Sequence, residues 1–183
     1  MRSILPLDEI NKLNESIRAR LQKGEKPKAE DILDEMLDIF LLTYATANRV
    51  TGESLDYEYE PPIEEVMETV NEVVAGETWT ERVENYLKNG GSADDIVRIV
   101  ETESHRIANE AALKTAGKAG ATNKKWVTML DDKVRDTHIY LEGQTVPYDA
   151  DFYTYDGDHA RAPGLFTLPE NNINCRCELQ FTK

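Results

Sequence analysis

Apolar residues Leu7, Ile10, Leu13, Ile17 and Leu21 return at steps of three and four, the spacing of one helix face, and Gly24 with Pro27 predicts where this first amphipathic helix closes. A broader stripe of Ile32, Leu33, Met36, Leu37, Phe40, Leu41 and Tyr44 predicts a second helix over about 29–49, ending before Gly52, whose wide apolar face requires a partner helix. Residues 53–62 mix acids with Pro61 and Pro62 and read as an exposed connection. A helix then starts at Pro62-Ile63 and carries Val66, Met67, Val70 and Val73-Val74 as far as Gly76; Thr78 caps a short one bearing Trp79, Val83 and Leu87. Ser92 is an N-cap with Asp94 and Asp95 in the first turn behind it. It launches a long helix with Ile96, Ile99, Val100, Ile107, Ala108, Ala111 and Ala112 facing inward, exiting at Gly117 to Gly120.

Beyond Ala121 the period changes. Trp126-Val127-Thr128-Met129-Leu130 is strand-like, residues 131–140 predict a short helix, and the remainder is rich in Pro, Gly, Asp and Tyr, the texture of loops and short strands. Residues 175–181 alternate as a final strand, whose antiparallel neighbour is expected to be 126–130. The predicted class is α+β: an acidic N-terminal helical region, residues 1–90, followed over residues 91–183 by a long helix packed on a small antiparallel β-containing lobe.

Composition narrows the function. A chain of 183 residues supports one sizeable core and a helical appendage, with no need of metal or disulfide to fold. Its formal charge is −14, and residues 28–89 alone carry sixteen acidic against four basic groups, which excludes a general phosphate-backbone binder. No window approaches the length of a membrane span and Met1 to Pro6 lacks the apolar run of a secretory signal, so a soluble chain, cytosolic at synthesis, is expected. The two cysteines, Cys175 and Cys177, are separated by one residue and read as a reduced or metal-bound pair rather than a mutual disulfide. There is no phosphate loop, His-Glu-x-x-His, Gly-x-Ser-x-Gly or dinucleotide fingerprint, so no well-marked enzyme class is indicated.

Three ordered stretches carry a resemblance: Ile99-Val100-Glu101-Thr102-Glu103-Ser104-His105-Arg106-Ile107-Ala108-Asn109; Trp126 with Asp131-Asp132-Lys133-Val134-Arg135-Asp136-Thr137-His138 and Leu141-Glu142-Gly143-Gln144; and Asn174-Cys175-Arg176-Cys177. In that order and with those gaps, residues 91–183 resemble the phage Mu F-like minor head protein family, also called the SPP1-type head morphogenesis domain. Members carry Thr-Glu where Thr102-Glu103 stand, with the equivalents of Asn109, Trp126, Asp131, Gly143 and the Asn-Cys-Arg-Cys ending. Many have a basic residue at the place of Glu101 and a longer N-terminal region. The resemblance implies a low-copy structural component of a tailed-phage or prophage head, with no enzyme reaction. It also implies portal or major capsid protein as partner, proximity to packaged DNA, and residence in the virion head after assembly in the host cytoplasm.

Each cluster carries a functional and a plainer reading. Some relatives place a Cys pair at Arg135 and His138, which brings zinc into view, held by His138, Cys175, Cys177 and an aspartate such as Asp131. Otherwise the cysteines are small strand side chains with His138 hydrogen-bonded beside them. Glu103, Arg106 and Asn109 fall at three-residue steps, and the favoured reading is a buried polar clamp in which Glu103 accepts from Arg135 or Arg176 while Asn109 ties down loop backbone. The rival is a metal-dependent or nucleotide-modifying effector using Glu103, Asp131, His138 and the two cysteines. His105 and His159 are expected to face solvent. Asp149, Asp151, Asp156 and Asp158 around Gly157 lack EF-hand spacing and read as a turn. Tyr148, Phe152, Tyr153 and Tyr155 either anchor a partner or cover the core of the small lobe.

Overall fold

A computed structural model of the chain describes residues 3–23 and 29–183. The expected helix end at Gly24 and Pro27 lies outside the described residues. Helix α1 (Leu7–Gln22) buries Ile10, Leu13 and Ile17, and α2 (Ala29–Ser54) buries Ile32, Met36, Phe40, Tyr44 and Ala47, as their periodicities require. Contrary to the expected stop before Gly52, α2 continues through it. The Tyr57 N–H donates to Gly52 O at 2.9 Å, and a Cβ at Gly52 would lie 2.4 Å from Tyr57 O. The glycine is needed for the chain to fold back over the helix, not to end it.

Helix α3 (Ile63–Val70) also departs from expectation by ending six residues before Gly76. The carbonyls of Thr69 and Val70, which would accept from Val73 and Val74 in a longer helix, accept instead from the Arg106 guanidinium at 2.9 and 3.2 Å. A tight turn at Ala75 and Gly76, both at positive φ, leads into α4 (Trp79–Lys88). Both α4 and α5 (Ala93–Lys118) begin with full capping boxes, at Thr78/Glu81 and Ser92/Asp95.

Helix α5 is the spine. Its first two-thirds complete the helical core with α1, α2 and α4, including the Phe40–Trp79 edge contact at 5.0 Å. From Leu113 onward it meets a second core of Trp126, Leu141, Phe152, Phe166, Cys175, Cys177 and Leu179. Strand β1 (Asn123–Val127) is central in a three-stranded antiparallel sheet, between β2 (Thr145–Pro147) and β5 (Glu178–Thr182), with Trp126 opposite Leu179. The β1–β5 partnership is the one expected, but β1 starts and stops three residues early. Thr128 N donates to the Glu142 carboxylate at 2.6 Å instead of to a strand, and Leu130 turns left-handed and is exposed. The short helix of 131–140 is confined to α6 (Asp136–Ile139), followed after β2 by the hairpin β3 (Phe152–Tyr153) and β4 (His159–Ala160), then α7 (Pro169–Asn172). No helix among the described residues is long and apolar enough to cross a membrane.

Candidate functional site

The middle of α5 is polar and buried at once. Arg106, 1% exposed, donates from Nε to Glu103 at 2.7 Å and from Nη1 to Glu110 at 3.2 Å, in addition to the two α3 carbonyls. Glu103 receives its second guanidinium from Arg82 of α4 at 2.5 Å. Arg135 and Arg176 are therefore not its partners, contrary to expectation. Arg135 donates to Ile173 O, and Arg176 makes a bidentate pair with Asp131 at 2.7 and 2.8 Å. The physical reason is position: Arg106 and Glu103 share one helical turn, and α4 packs on that same face.

Thr102 and Asn109 stand on an adjoining face of α5 and meet the C-terminal ribbon. Thr102 Oγ1 accepts from Asn174 N at 3.2 Å, where Asn174 is held at positive φ, and Asn109 Nδ2 donates to Cys177 O at 2.9 Å. The 102–109 stretch thus grips the Asn174-Cys175-Arg176-Cys177 ribbon at both ends. Beneath the ribbon, Trp126 is fully buried among the rings of His138, Phe152 and Phe166. Gly143, at positive φ, donates to Trp126 O at 2.9 Å and so holds the next loop against β1.

His138, Cys175 and Cys177 are all buried, with His138 Nδ1 at 3.6 Å from Cys175 Sγ and 3.4 Å from Cys177 Sγ. Ordinary zinc bond lengths set the N···S edge of a tetrahedron at about 3.6 Å, so both N···S distances match such an edge. Asp131 does not join them, being committed to Arg176 on the exposed side. A hydrogen bond from Cys177, with His138 beside it, holds the Cys175 thiol well below its usual range, while the same bond and burial push Cys177 up.

Sequence reasoning missed Glu72 and Glu110, although Glu110 stands four residues after Arg106, a legible spacing. Burial and the neighbouring Glu72 carboxylate push Glu110 up to about 8. Burial acts on Glu72 in the same sense, but the hydrogen bond from Glu110 with Arg106 and Arg161 nearby carries it below its ordinary value. Since the folded Glu110 value lies above the unfolded 4.5, its stabilising contribution is complete below that pH and fades as pH rises through about 8. Urea unfolding is expected to show a loss of about 1–2 kcal/mol between pH 5 and 8, discounted from the single-site limit because Glu72 shifts oppositely. Glu110→Gln should flatten that slope; an unchanged slope assigns it elsewhere.

Of the loop aromatics, Phe152 is core and Tyr148 is half-buried, its hydroxyl donating to Leu113 O at 2.9 Å; neither is free to anchor a partner. Hairpin alternation turns Phe152 inward, leaving Tyr153 and Tyr155 exposed, with Tyr155 edge-on to Tyr140. His105 is half-buried rather than solvent-facing, because α1 covers that side of α5, and burial lowers its pKa. His159 is exposed beside Asp151. The Asp158 carboxylate accepts from three backbone N–H groups, Thr167 and Asn171, and so organises its turn with protein donors alone.

Comparison with known proteins bears on the same stretch. The family model described as Phage Mu protein F like protein matches residues 64–180. The chain is 31% identical over 83 residues to the minor head protein GP7 of Bacillus phage SPP1, and 33% identical over 85 residues to the NAD(+)--arginine ADP-ribosyltransferase EFV of Enterococcus faecalis. Each match takes in 44% of this chain, but only 27% of the head protein and 17% of the transferase. No solved structure matches.

Proposed function

Because the chain belongs to the phage Mu protein F like family, we propose that it serves as a minor head protein of a tailed phage or prophage, docking to portal or major capsid protein near the packaged DNA. Its part in morphogenesis is architectural. The observation that carries this reading is the double grip of Thr102 and Asn109 on the 174–177 ribbon. It joins segments some seventy residues apart into one rigid knob, which suits a part that must hold its shape in an assembly. The polar clamp of Glu103 and Arg106, the Trp126 ring cluster and the Asp131–Arg176 pair stiffen that knob; Tyr153, Tyr155 and the acidic helical layer are left to meet partners. Mass spectrometry of gradient-purified particles tests it. The chain is expected at far lower copy than the major capsid protein, and deleting its gene should lower the yield of DNA-filled heads. Filled, infectious particles that contain none of it overturn the reading.

The metal-shaped cluster and the likeness to a transferase favour a second reading, a metal-dependent or nucleotide-modifying effector. Against it, Glu103 is locked between Arg82 and Arg106, and Asp131 is paired with Arg176, so neither joins His138 and the cysteines. Metal analysis of purified protein separates structure from effector chemistry. Near-stoichiometric zinc, lost in Cys175→Ser, is the outcome expected if the three donors close on an ion; folded, metal-free protein removes the metal from either reading.

A further inference from the structure

Cys175 and Cys177 stand two apart on the closing ribbon, so an extended backbone sets both thiols on one side and turns Arg176 to the other, where it meets Asp131. The ribbon is fixed at both cysteines: Cys175 N donates to Asn172 O at 3.1 Å, and Cys177 O accepts from Asn109 at 2.9 Å. The imidazole that the thiols face comes from α6 and is held by its rings, with centroids 5.4 Å from Phe166 and 5.5 Å from Trp126. Its polar contacts are unlike those of an ordinary core histidine. Nε2 is shielded and meets no partner, and Nδ1 faces the two sulfurs alone, at 3.4 and 3.6 Å. Buried polar groups in native structures are normally paired. A ring nitrogen accepts one S–H, whereas a single cation can take the nitrogen and both sulfurs at once.

The three donor atoms lie within 4.8 Å of one another, and no further His, Cys, Asp or Glu among the described residues joins them. Zinc bonds of about 2.0 Å to nitrogen and 2.3 Å to sulfur set tetrahedral edges of about 3.6 Å for N···S and about 3.8 Å for S···S; both fall inside that span. We propose that His138 Nδ1, Cys175 Sγ and Cys177 Sγ bind one zinc ion, with water as its fourth ligand. Room for the water is at hand in a recess of about 10 Å³, lined by all three residues together with Met129, Lys133 and Arg135, the volume about one water requires. Two thiols and an imidazole select a borderline-soft ion, whereas Mg²⁺ and Ca²⁺ take oxygen donors. On binding, the thiols release two protons to solvent, and the two thiolates with Zn²⁺ form a centre of no net charge, which suits burial. The ion need not pass through the finished lobe, since uptake accompanies folding. It would cross-link α6 to a ribbon thirty-seven residues further on. Nothing in this assignment depends on the head-protein reading, whose test, particle composition, does not bear on it.

The test is equilibrium dialysis of the full chain, stripped with a chelator, against Zn²⁺ or Co²⁺ in the presence of excess Mg²⁺ and Ca²⁺, read by elemental analysis and, for Co²⁺, by absorption. One metal ion per chain is expected, and Co²⁺ should give a thiolate charge-transfer band with the strong visible bands of a four-coordinate ion. Zinc should also raise the thermal midpoint of the stripped protein. Cys177→Ser and His138→Gln should each weaken binding at least about a hundredfold, more than the loss of an outer partner costs. Asp131→Asn, on the exposed side, should leave it within about threefold. A buried ligand variant can unfold on its own account, so circular dichroism accompanies each, and uptake by the parent is decisive by itself. A folded parent that takes up neither Zn²⁺ nor Co²⁺ overturns the proposal. So do parent-like affinity in Cys177→Ser, a cobalt spectrum without the thiolate band, or loss of the metal in Asp131→Asn, which would give the site another ligand set.

Discussion

Replacing Arg106 by methionine is expected to destabilise the protein by about 3–5 kcal/mol, the usual cost of removing one partner from a buried ionic network. Methionine fills much of the volume, so the loss is electrostatic rather than a cavity. Glu103 keeps Arg82, but Glu110 loses its buried cation, and the carbonyls of Thr69 and Val70 lose the donors that replaced their helical ones. Arg106→Lys should rescue little, since a single ammonium cannot reach two carboxylates and two carbonyls lying in different directions. Recovery on adding Glu110→Gln is expected only as pH rises above about 8, since below that Glu110 is itself mostly neutral. Hydrogen exchange adds a local readout: protection in the turn after α3 should fall before that of α2. Denaturation that leaves Arg106→Met within about 1 kcal/mol of the parent would mean that the network makes no net contribution. Gly164 belongs to the same argument. It sits at φ +87°, and a Cβ there would lie 2.9 Å from Arg106 Cα and Cβ, so the loop before α7 closes directly on the arginine.

Trp126→Ala is the second large effect, about 3–5 kcal/mol as for other fully buried aromatic residues. The indole is the hub of the small core, with ring centroids 5.1 Å from Phe152, 5.5 Å from His138 and 5.7 Å from Phe166. Its loss opens a cavity beside the His138 cluster. Trp126→Phe should cost far less, about 1–2 kcal/mol, because the indole Nε1 finds no acceptor in good geometry and its removal leaves no new group unpaired. Thiol labelling distinguishes packing from position: Cys175 and Cys177 should react slowly in the parent and in Trp126→Phe, and rapidly in Trp126→Ala. Equal labelling rates in all three proteins would show that the tryptophan does not shield the cysteines.

Some of this site was legible in the sequence. Helix faces, the Thr78 and Ser92 caps and the antiparallel closing strand follow from local geometry, because a helix returns a side chain to one face every three to four residues and a cap needs only its own next turn. The ordered motifs likewise named Thr102, Asn109, Trp126, His138 and the two cysteines, which the fold gathers around one ribbon. Less legible were the limits of elements. The early end of α3 is imposed by an arginine thirty-six residues away, and β1 stops early because Glu142 captures the amide of Thr128.

Ion pairing between distant segments was beyond the sequence. With 35 acids and 21 Lys and Arg residues, charge alone cannot choose Arg82 over Arg135 or Arg176 for Glu103, since any cation satisfies any carboxylate until packing fixes distance and excludes water. The same holds for Phe152 against Tyr153: alternation says that they differ, and only the position of the core says which one is inside. By itself, then, the sequence determined the helical faces, the caps, the strand that closes the lobe and the family. Tertiary structure alone decided which distant charges meet and where helices stop, because those depend on contacts between segments that are distant along the chain.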